Sequence, residues 1–495
     1  CSGRLLAPLV VLLRAPNRSH FSGWFPMTAG VIKRRIIPGA AAAEMARRVG
    51  EKMGFQSNPF FGVEWSIAYV AFLAYMFAII SYKFQIGTAS MTVALLTLPM
   101  ERNPIRVPLV VTFLLMFLCW AGLGVVLSPF PKIVLDAVTE FAKVVAVIFV
   151  AANVLRTRAR FRLAVVLIAI WWMLFPVRGT FVNYFFGGGG EQGRAYWNYI
   201  YSNPNDLAGL ALLELSVVLG MLSVERHKLI RLGAQISAVS LVVVIVLTQS
   251  RGGLIALVFY GAILGKQYWR LLRNLRVLAL IALTGVLIAV VTPDTAWRRF
   301  STIKDATNND ESLIDPDLAD LSSRQDQGSS RERLAIWKIA GGIISNNPMT
   351  GVGLGAYREA HALQARRPGF PGFAGGKRDT HSTYLNVTAE LGIPGLLLFM
   401  SLLGIVLQQS IRARRRAGKE RPALALQLLN MEVGLYAYMV AGIWGTYDGL
   451  VPTYVHLVMM SSATALLNMH ATPVRRRQVA APVRVQAAMV AEGGR

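Results

Sequence analysis

Residues 107–127 read VPLVVTFLLMFLCWAGLGVVL, twenty-one positions without a charged side chain. About 20 such residues are what an α-helix needs to cross the ~30 Å hydrocarbon core of a bilayer. In hydrocarbon the backbone must satisfy its own hydrogen bonds, so a run of this kind is helical. Working outward, similar windows occur at 61–81, 86–100, 133–154, 161–178, 206–224, 230–248, 252–265, 274–292, 394–411, 427–446 and 452–469. Of these, 86–100 and 252–265 are short. The expected fold class is an all-α polytopic membrane protein with about 12 transmembrane helices.

The composition agrees. Hydrophobic residues make up 54% of the 495 positions and charged residues only 16%, where soluble chains carry nearer a quarter. The formal net charge of +25 could point to nucleic acid, but the basic residues lie in short clusters between apolar windows. Arg156, Arg158, Arg160 and Arg162 follow the fourth window; Arg226, Lys228 and Arg231 the sixth; Lys266, Arg270, Arg273 and Arg276 the eighth. Arg412, Arg414, Arg415 and Arg416 follow the tenth, and Arg475 to Arg477 the twelfth. Every strongly basic linker falls after an even-numbered window. The positive-inside rule then puts both ends in the cytoplasm and the other linkers on the opposite face. No nucleic-acid partner is expected. The two cysteines, Cys1 and Cys119, cannot build a disulfide framework or a cysteine metal site.

Five segments follow. Residues 1–56 are expected to be a disordered cytoplasmic tail or an over-extended start with Met45 as initiator. Residues 57–292 hold helices one to nine, 293–393 a large loop, 394–469 helices ten to twelve, and 470–495 a basic cytoplasmic tail. The loop is far longer than an ordinary connection, and such loops are functional or disordered. Its acidic stretch 305–326 reads as flexible. Residues 331–345 read as an amphipathic helix carrying Leu334, Trp337, Ile339, Ile343 and Ile344. Gly351 to Gly355 reads as a tight turn, and 380–391 as a second helix that Gly392 and Pro394 end.

Within the loop, His381-Ser382 is followed after nine residues by Gly392-Ile393-Pro394-Gly395. A histidine at a helix start is more often structural. Here Asp379 or Thr380 could cap the helix, placing His381 in the first turn, where the dipole disfavours imidazolium. A neutral imidazole is what a general base needs near pH 7. Arg178, Arg194, Arg251 and the loop arginines sit on the face that the charge rule disfavours. An arginine at a membrane boundary costs desolvation unless it has a partner, and its planar fork suits phosphate oxygens. The competing account of Arg251 is snorkelling at a helix end. Asp315-Pro316-Asp317 matches a metal-binding D-x-D pattern but lies in the acidic stretch, so no metal site is expected. His361, beside Tyr357, reads as a surface histidine.

The His-Ser-x9-Gly-x-x-Gly string resembles the signature of bacterial O-antigen ligases, in the superfamily that includes O-antigen polymerases and protein O-oligosaccharyltransferases. Gln249-Ser250-Arg251-Gly252-Gly253 resembles the turn that carries an essential arginine in that family. Arg333-Leu334-Ala335-Ile336-Trp337 resembles its loop-helix motif with a second arginine, for which Arg331 is also a candidate. Asn203-Pro204-Asn205-Asp206 resembles a recurrent element before the sixth helix. The resemblance implies a GT-C-like glycosyltransferase with a large periplasmic loop, in the inner membrane of a Gram-negative bacterium. It implies transfer of a glycan from an undecaprenyl diphosphate carrier to the lipid A core, inverting, metal-independent and without a cofactor. His381 is then the base, and Arg251 and Arg333 are catalytic and bind the donor diphosphate with Arg331 or Arg178. Asp379 and Ser382 support the base. A polymerase, a protein glycosyltransferase and a lipid-linked glycan transporter are the alternatives. The ligase-type histidine string and the loop favour ligation.

Overall fold

The computed structural model describes residues 62–187, 193–268, 273, 275–291, 321–370 and 372–469. The N-terminal segment 1–56, the pair Asp315/Asp317 and the tail 470–495 lie outside the described residues. Among those described the architecture is helical throughout. The chain runs through α1 (Ile67–Ser81), α2 (Gly87–Thr97), α3 (Leu109–Leu127), α4 (Pro131–Val154) and α5 (Arg158–Trp172). A π-helical turn, Met173–Val177, leads from α5 into α6 (Arg178–Phe186). Then come α7 (Pro204–Val224), α8 (Lys228–Leu247), α9 (Arg251–Gln267), α10 (Leu275–Val291), α11 (Leu321–Asn346) and α12 (Tyr357–Gln364). The last three are α13 (Thr383–Ala417), α14 (Pro422–Ala441) and α15 (Val451–Asn468).

A helix occupies each of the twelve apolar windows. Among the described residues six helices are long and apolar enough to cross a membrane: α3, α5 continued through α6, α7, α8, α13 and α14. The starts obey local chemistry. Ser66, Thr157, Asn203 and Ser250 accept N–H groups of the first turns of α1, α5, α7 and α9. Proline opens α4, α7 and α14, where the missing N–H costs nothing. Pro176 lies in the π turn, a common consequence of an imino residue inside a helix.

Helix α7 is the central element. Burial covers 78% of its apolar window, against 33% for α3 at the periphery, and it packs chiefly on α14 and α8. At the end of the bundle that carries the basic linkers, three arginines are paired with carboxylates. Arg160 meets Glu101 at 3.0 Å, Arg162 grips Glu225 at 2.8 and 2.9 Å, and Arg414 grips Glu432 at 2.8 Å. Their charge is therefore compensated by a neighbouring helix or linker, as a buried guanidinium requires.

At the other end α11 and α12 form a smaller layer. Ile336, Ile339, Ile343 and Tyr357 close a second core against Val134 of α4 and Ala389 of α13. The expected amphipathic helix is present but begins earlier, at Leu321; Ile339 and Ile343 are buried and Trp337 and Ile344 pack on the same core, as expected, while Leu334 is exposed and Ala335 and Ile336 are buried.

Candidate active site

Helix α13 is two pieces. At Gly392 the backbone leaves the helix, with φ 69° and ψ −176°. A side chain there would meet a left-handed backbone and overlap the carbonyl of Met349. The upper piece, 383–391, thus ends where Gly392 was expected to end it. Its last carbonyls find partners outside the helix. Val352 N–H donates to Ala389 (2.9 Å), Gly353 N–H to Glu390 (2.8 Å) and the Trp120 indole to Leu391 (2.9 Å). The tight turn at 351–355 exists for this purpose, with positive φ at Gly351, Gly353 and Gly355.

The start of that piece is held as firmly. Thr383 N–H donates to the carbonyls of Gly442 (2.9 Å) and Gly445 (2.8 Å), and its hydroxyl to Gly445 (2.7 Å). Tyr447 N–H donates back to the same hydroxyl at 2.9 Å. Ser382 is the N-cap and is buried, but its side chain makes no capping bond. His381 therefore precedes the helix instead of lying in its first turn, and Asp379 and Thr380 are not caps. The hydroxyl of Thr446 donates to Asp379 at 2.8 Å, and the Trp337 indole of α11 to the Thr380 carbonyl at 2.9 Å. Between these ties His381 adopts φ 50°, unusual for a residue with a side chain.

His381 faces a cavity of about 640 Å³, whose wall includes Arg194, Asn203, Asn205, Glu332, Arg333 and Arg378. Three guanidinium groups stand against one carboxylate, Glu332, which pairs with Arg378 at 3.3 Å. Burial pushes the His381 imidazole below its usual range. Arg333 pushes it further down, while Asp379 and Glu332 oppose the shift. The net shift favours the neutral ring.

The other expected residues are placed differently. Arg251 opens α9 and is not in the cavity wall. Its turn is joined to the wall through Arg194, which donates to the Thr248 carbonyl and to the Asn205 side chain, both at 2.9 Å. Ala195 N–H and the Gln249 amide complete this strap, donating to Leu247 and Gly193. The glycines after Arg251 have a packing reason. A Cβ on Gly253 would stand 2.7 Å from Ala208 of α7, and one on Gly252 would stand 3.2 Å from Trp444. Arg178 is exposed after the π turn, outside the wall. Arg331 lies in α11, with its side chain outside the described residues. His361 is fully buried rather than on the surface, its Nδ1 2.8 Å from the Gly376 carbonyl.

Sequence reasoning passed over Glu332, Arg378 and Thr446, and the buried acids beyond His381. Asn386 donates to Asp448 at 3.0 Å, and Tyr357 N–H reaches Glu390 at 3.3 Å. Burial raises the Asp448 carboxyl above its ordinary range, opposed by Asn386. Both acids line a second cavity of about 850 Å³, bounded mainly by α1, α2 and α4. Glu390 lies within the histidine string, nine residues after His381, and could have been flagged as an acid beside a span. Asp448 carried no such signal.

A helical membrane protein with an arginine-lined cavity around a neutral histidine is the class this fold and site define. Residues 236–400 match the family model described as O-antigen ligase, and the match supports membership of the O-antigen ligase superfamily. The match runs from within α8 into the lower piece of α13 and includes Arg251, Arg333, His381 and Gly392; α1–α7 lie outside it. No curated protein matches the chain.

Proposed function

We propose that the protein is an O-antigen ligase, transferring O-antigen polysaccharide from undecaprenyl diphosphate to the lipid A-core oligosaccharide. The reading is of a twelve-span, GT-C-like enzyme of a Gram-negative inner membrane, with segment 293–393 as a periplasmic loop. The observation that carries it is the single cavity that brings His381 of the 381–395 string together with Arg333 of the loop helix. The superfamily match spans both residues.

The donor's anomeric carbon is already bonded to a good leaving group, so no strong acid is required. His381 accepts the proton of the acceptor hydroxyl as that oxygen bonds to the anomeric carbon. The bond from that carbon to the diphosphate oxygen breaks on the opposite face, and the configuration inverts. Negative charge collects on the departing diphosphate. Arg333, with Arg194 and Arg378 in the same wall, lies where that charge would be met. Arg251 is assigned to the donor through the strap that joins its turn to Arg194, with Arg331 and Arg178 as helpers. Asp379 and Ser382 set the backbone that presents His381.

Purified protein given undecaprenyl diphosphate-linked glycan, with either lipid A-core or growing glycan as acceptor, tests the reading. Transfer to lipid A-core is expected. Elongation of the carrier-linked glycan alone would make the protein a polymerase, and movement across vesicles without transfer would make it a transporter.

A further inference from the structure

Asp448 is more than nine-tenths buried, and its two oxygens are unequal. Oδ2 accepts the Asn386 amide, while Oδ1 is buried with no hydrogen-bond partner. A buried carboxylate oxygen calls for a donor. Asp448 lines the 850 Å³ cavity, as does the buried Glu390. On the rim of that cavity Tyr82 and Tyr199 stack with ring centroids 4.8 Å apart and planes 18° apart. Both hold left-handed backbones, φ 49° and 56°, each at a cost on the order of 1 kcal/mol. Tyr82 takes its conformation as the C-cap of α1, whereas the unpartnered Asp448 oxygen, in a cavity that also carries an aromatic platform, points to a ligand.

We propose that this cavity binds the sugar head of an uncharged glycolipid, its hydroxyls donating to Asp448 and Glu390 and its ring lying on Tyr199. The chemistry excludes the alternatives in turn. Lys143 is the only basic residue lining the cavity and pairs with Glu140 at 2.6 Å, so the wall offers a phosphate no uncommitted cation. Phosphate belongs instead with the arginines of the first cavity. Sugar hydroxyls are donors, and the C–H faces of a sugar ring suit an aromatic surface. Met91, Leu95 and Phe141 supply apolar wall for a hydrocarbon tail. Asn386 and Glu390 stand on the short piece of α13, which begins two residues after His381 of the first cavity. The binding does not rest on the proposed transfer reaction.

The test is equilibrium binding of radiolabelled octyl glucoside, below its micellar concentration, to the full chain in nanodiscs. Saturable binding is expected, displaced by unlabelled octyl glucoside but not by octyl phosphate or octylammonium. Asp448→Asn keeps an acceptor for Asn386 and should weaken binding about 10-fold or more, since hydrogen bonds to charged groups are the strong ones. Tyr199→Ala changes a residue that is 63% exposed, so it tests the platform without disturbing the core, and should also weaken binding. His381→Ala should bind as the parent does even where transfer is lost, which separates this site from the transfer reaction. Displacement by octyl phosphate or octylammonium, or parental affinity in Tyr199→Ala and in folded Asp448→Asn, overturns the proposal.

Discussion

The indole N–H of Trp337 donates to the carbonyl of Thr380 at 2.9 Å, tying the loop helix to the residue just before His381. Trp337→Phe keeps an aromatic ring and removes this bond. A neutral hydrogen bond contributes about 0.5–1.5 kcal/mol to stability, so thermal unfolding should shift little. Misplacement of a catalytic group by about 1 Å can cost ~100-fold, so turnover should fall by 10- to 100-fold. A variant that unfolds at much lower temperature, with turnover unchanged in what remains folded, would make the contact purely structural.

Removal of the proposed base should cost roughly 10²- to 10⁴-fold in rate. His381→Asn is the more informative replacement, because asparagine tolerates the left-handed backbone at this position. Single-turnover transfer by His381→Asn and His381→Ala should be lost alike, with donor binding retained. Parental turnover in the asparagine variant would show that position 381 serves its backbone only.

The pH profile follows from the direction of the His381 shift. The ring must be neutral to accept a proton, and burial and Arg333 both lower its affinity for one. Turnover should therefore hold as pH falls through the ordinary histidine value of 6.5 and decline only below it. Arg333→Ala removes a lowering influence, so its acid limb should move up in pH, apart from any loss of donor affinity. Asp379→Asn removes a raising influence and should move the limb down. Identical acid limbs in all three proteins would separate the limb from His381.

Gly392→Ala would place a methyl group against the Met349 carbonyl on a backbone at φ 69°. The cost should be about 1–3 kcal/mol or more, measured by thermal unfolding in detergent. Release of the 348–353 turn should also appear as faster proteolysis there. Unchanged melting would mean that the break relaxes without strain.

Among the described residues no group of three or more His, Cys, Asp and Glu side chains converges as a metal site. Transfer is expected to persist in excess EDTA. Loss of transfer with EDTA and its recovery with Mn²⁺ would instead promote Asp315 and Asp317.

The helices were legible because each is an apolar run, and the break at Gly392 because glycine and proline punctuate a chain. The exposure of Leu334 was not legible: Ile336 is equally apolar, and the pattern alone does not say which of the two is buried. Neither was the position of His381. The cap on Thr383 comes from carbonyls at 442 and 445, some sixty residues along the chain, so nearby Asp379 and Thr380 were the natural but incorrect choice. Arginine chemistry pointed to Arg178, Arg194, Arg251 and the loop arginines, and the family resemblance singled out Arg251 and Arg333. The cavity wall holds Arg194 instead of Arg251, because the strap from 193 to 195 is recruited by backbone groups that a sequence does not distinguish.

The interruption at Gly392 also has a mechanical meaning. A continuous helix is a rod, and slipping it by one residue would carry whatever rides on its tip by 1.5 Å. Here the tip is severed from its shaft. The short piece bearing His381 takes its position from Trp120, the 348–353 turn and the 442–447 segment, none of which belongs to α13. The apolar shaft below takes its place from Glu432, which accepts from Ser410 and Arg414, so the two pieces answer to different neighbours.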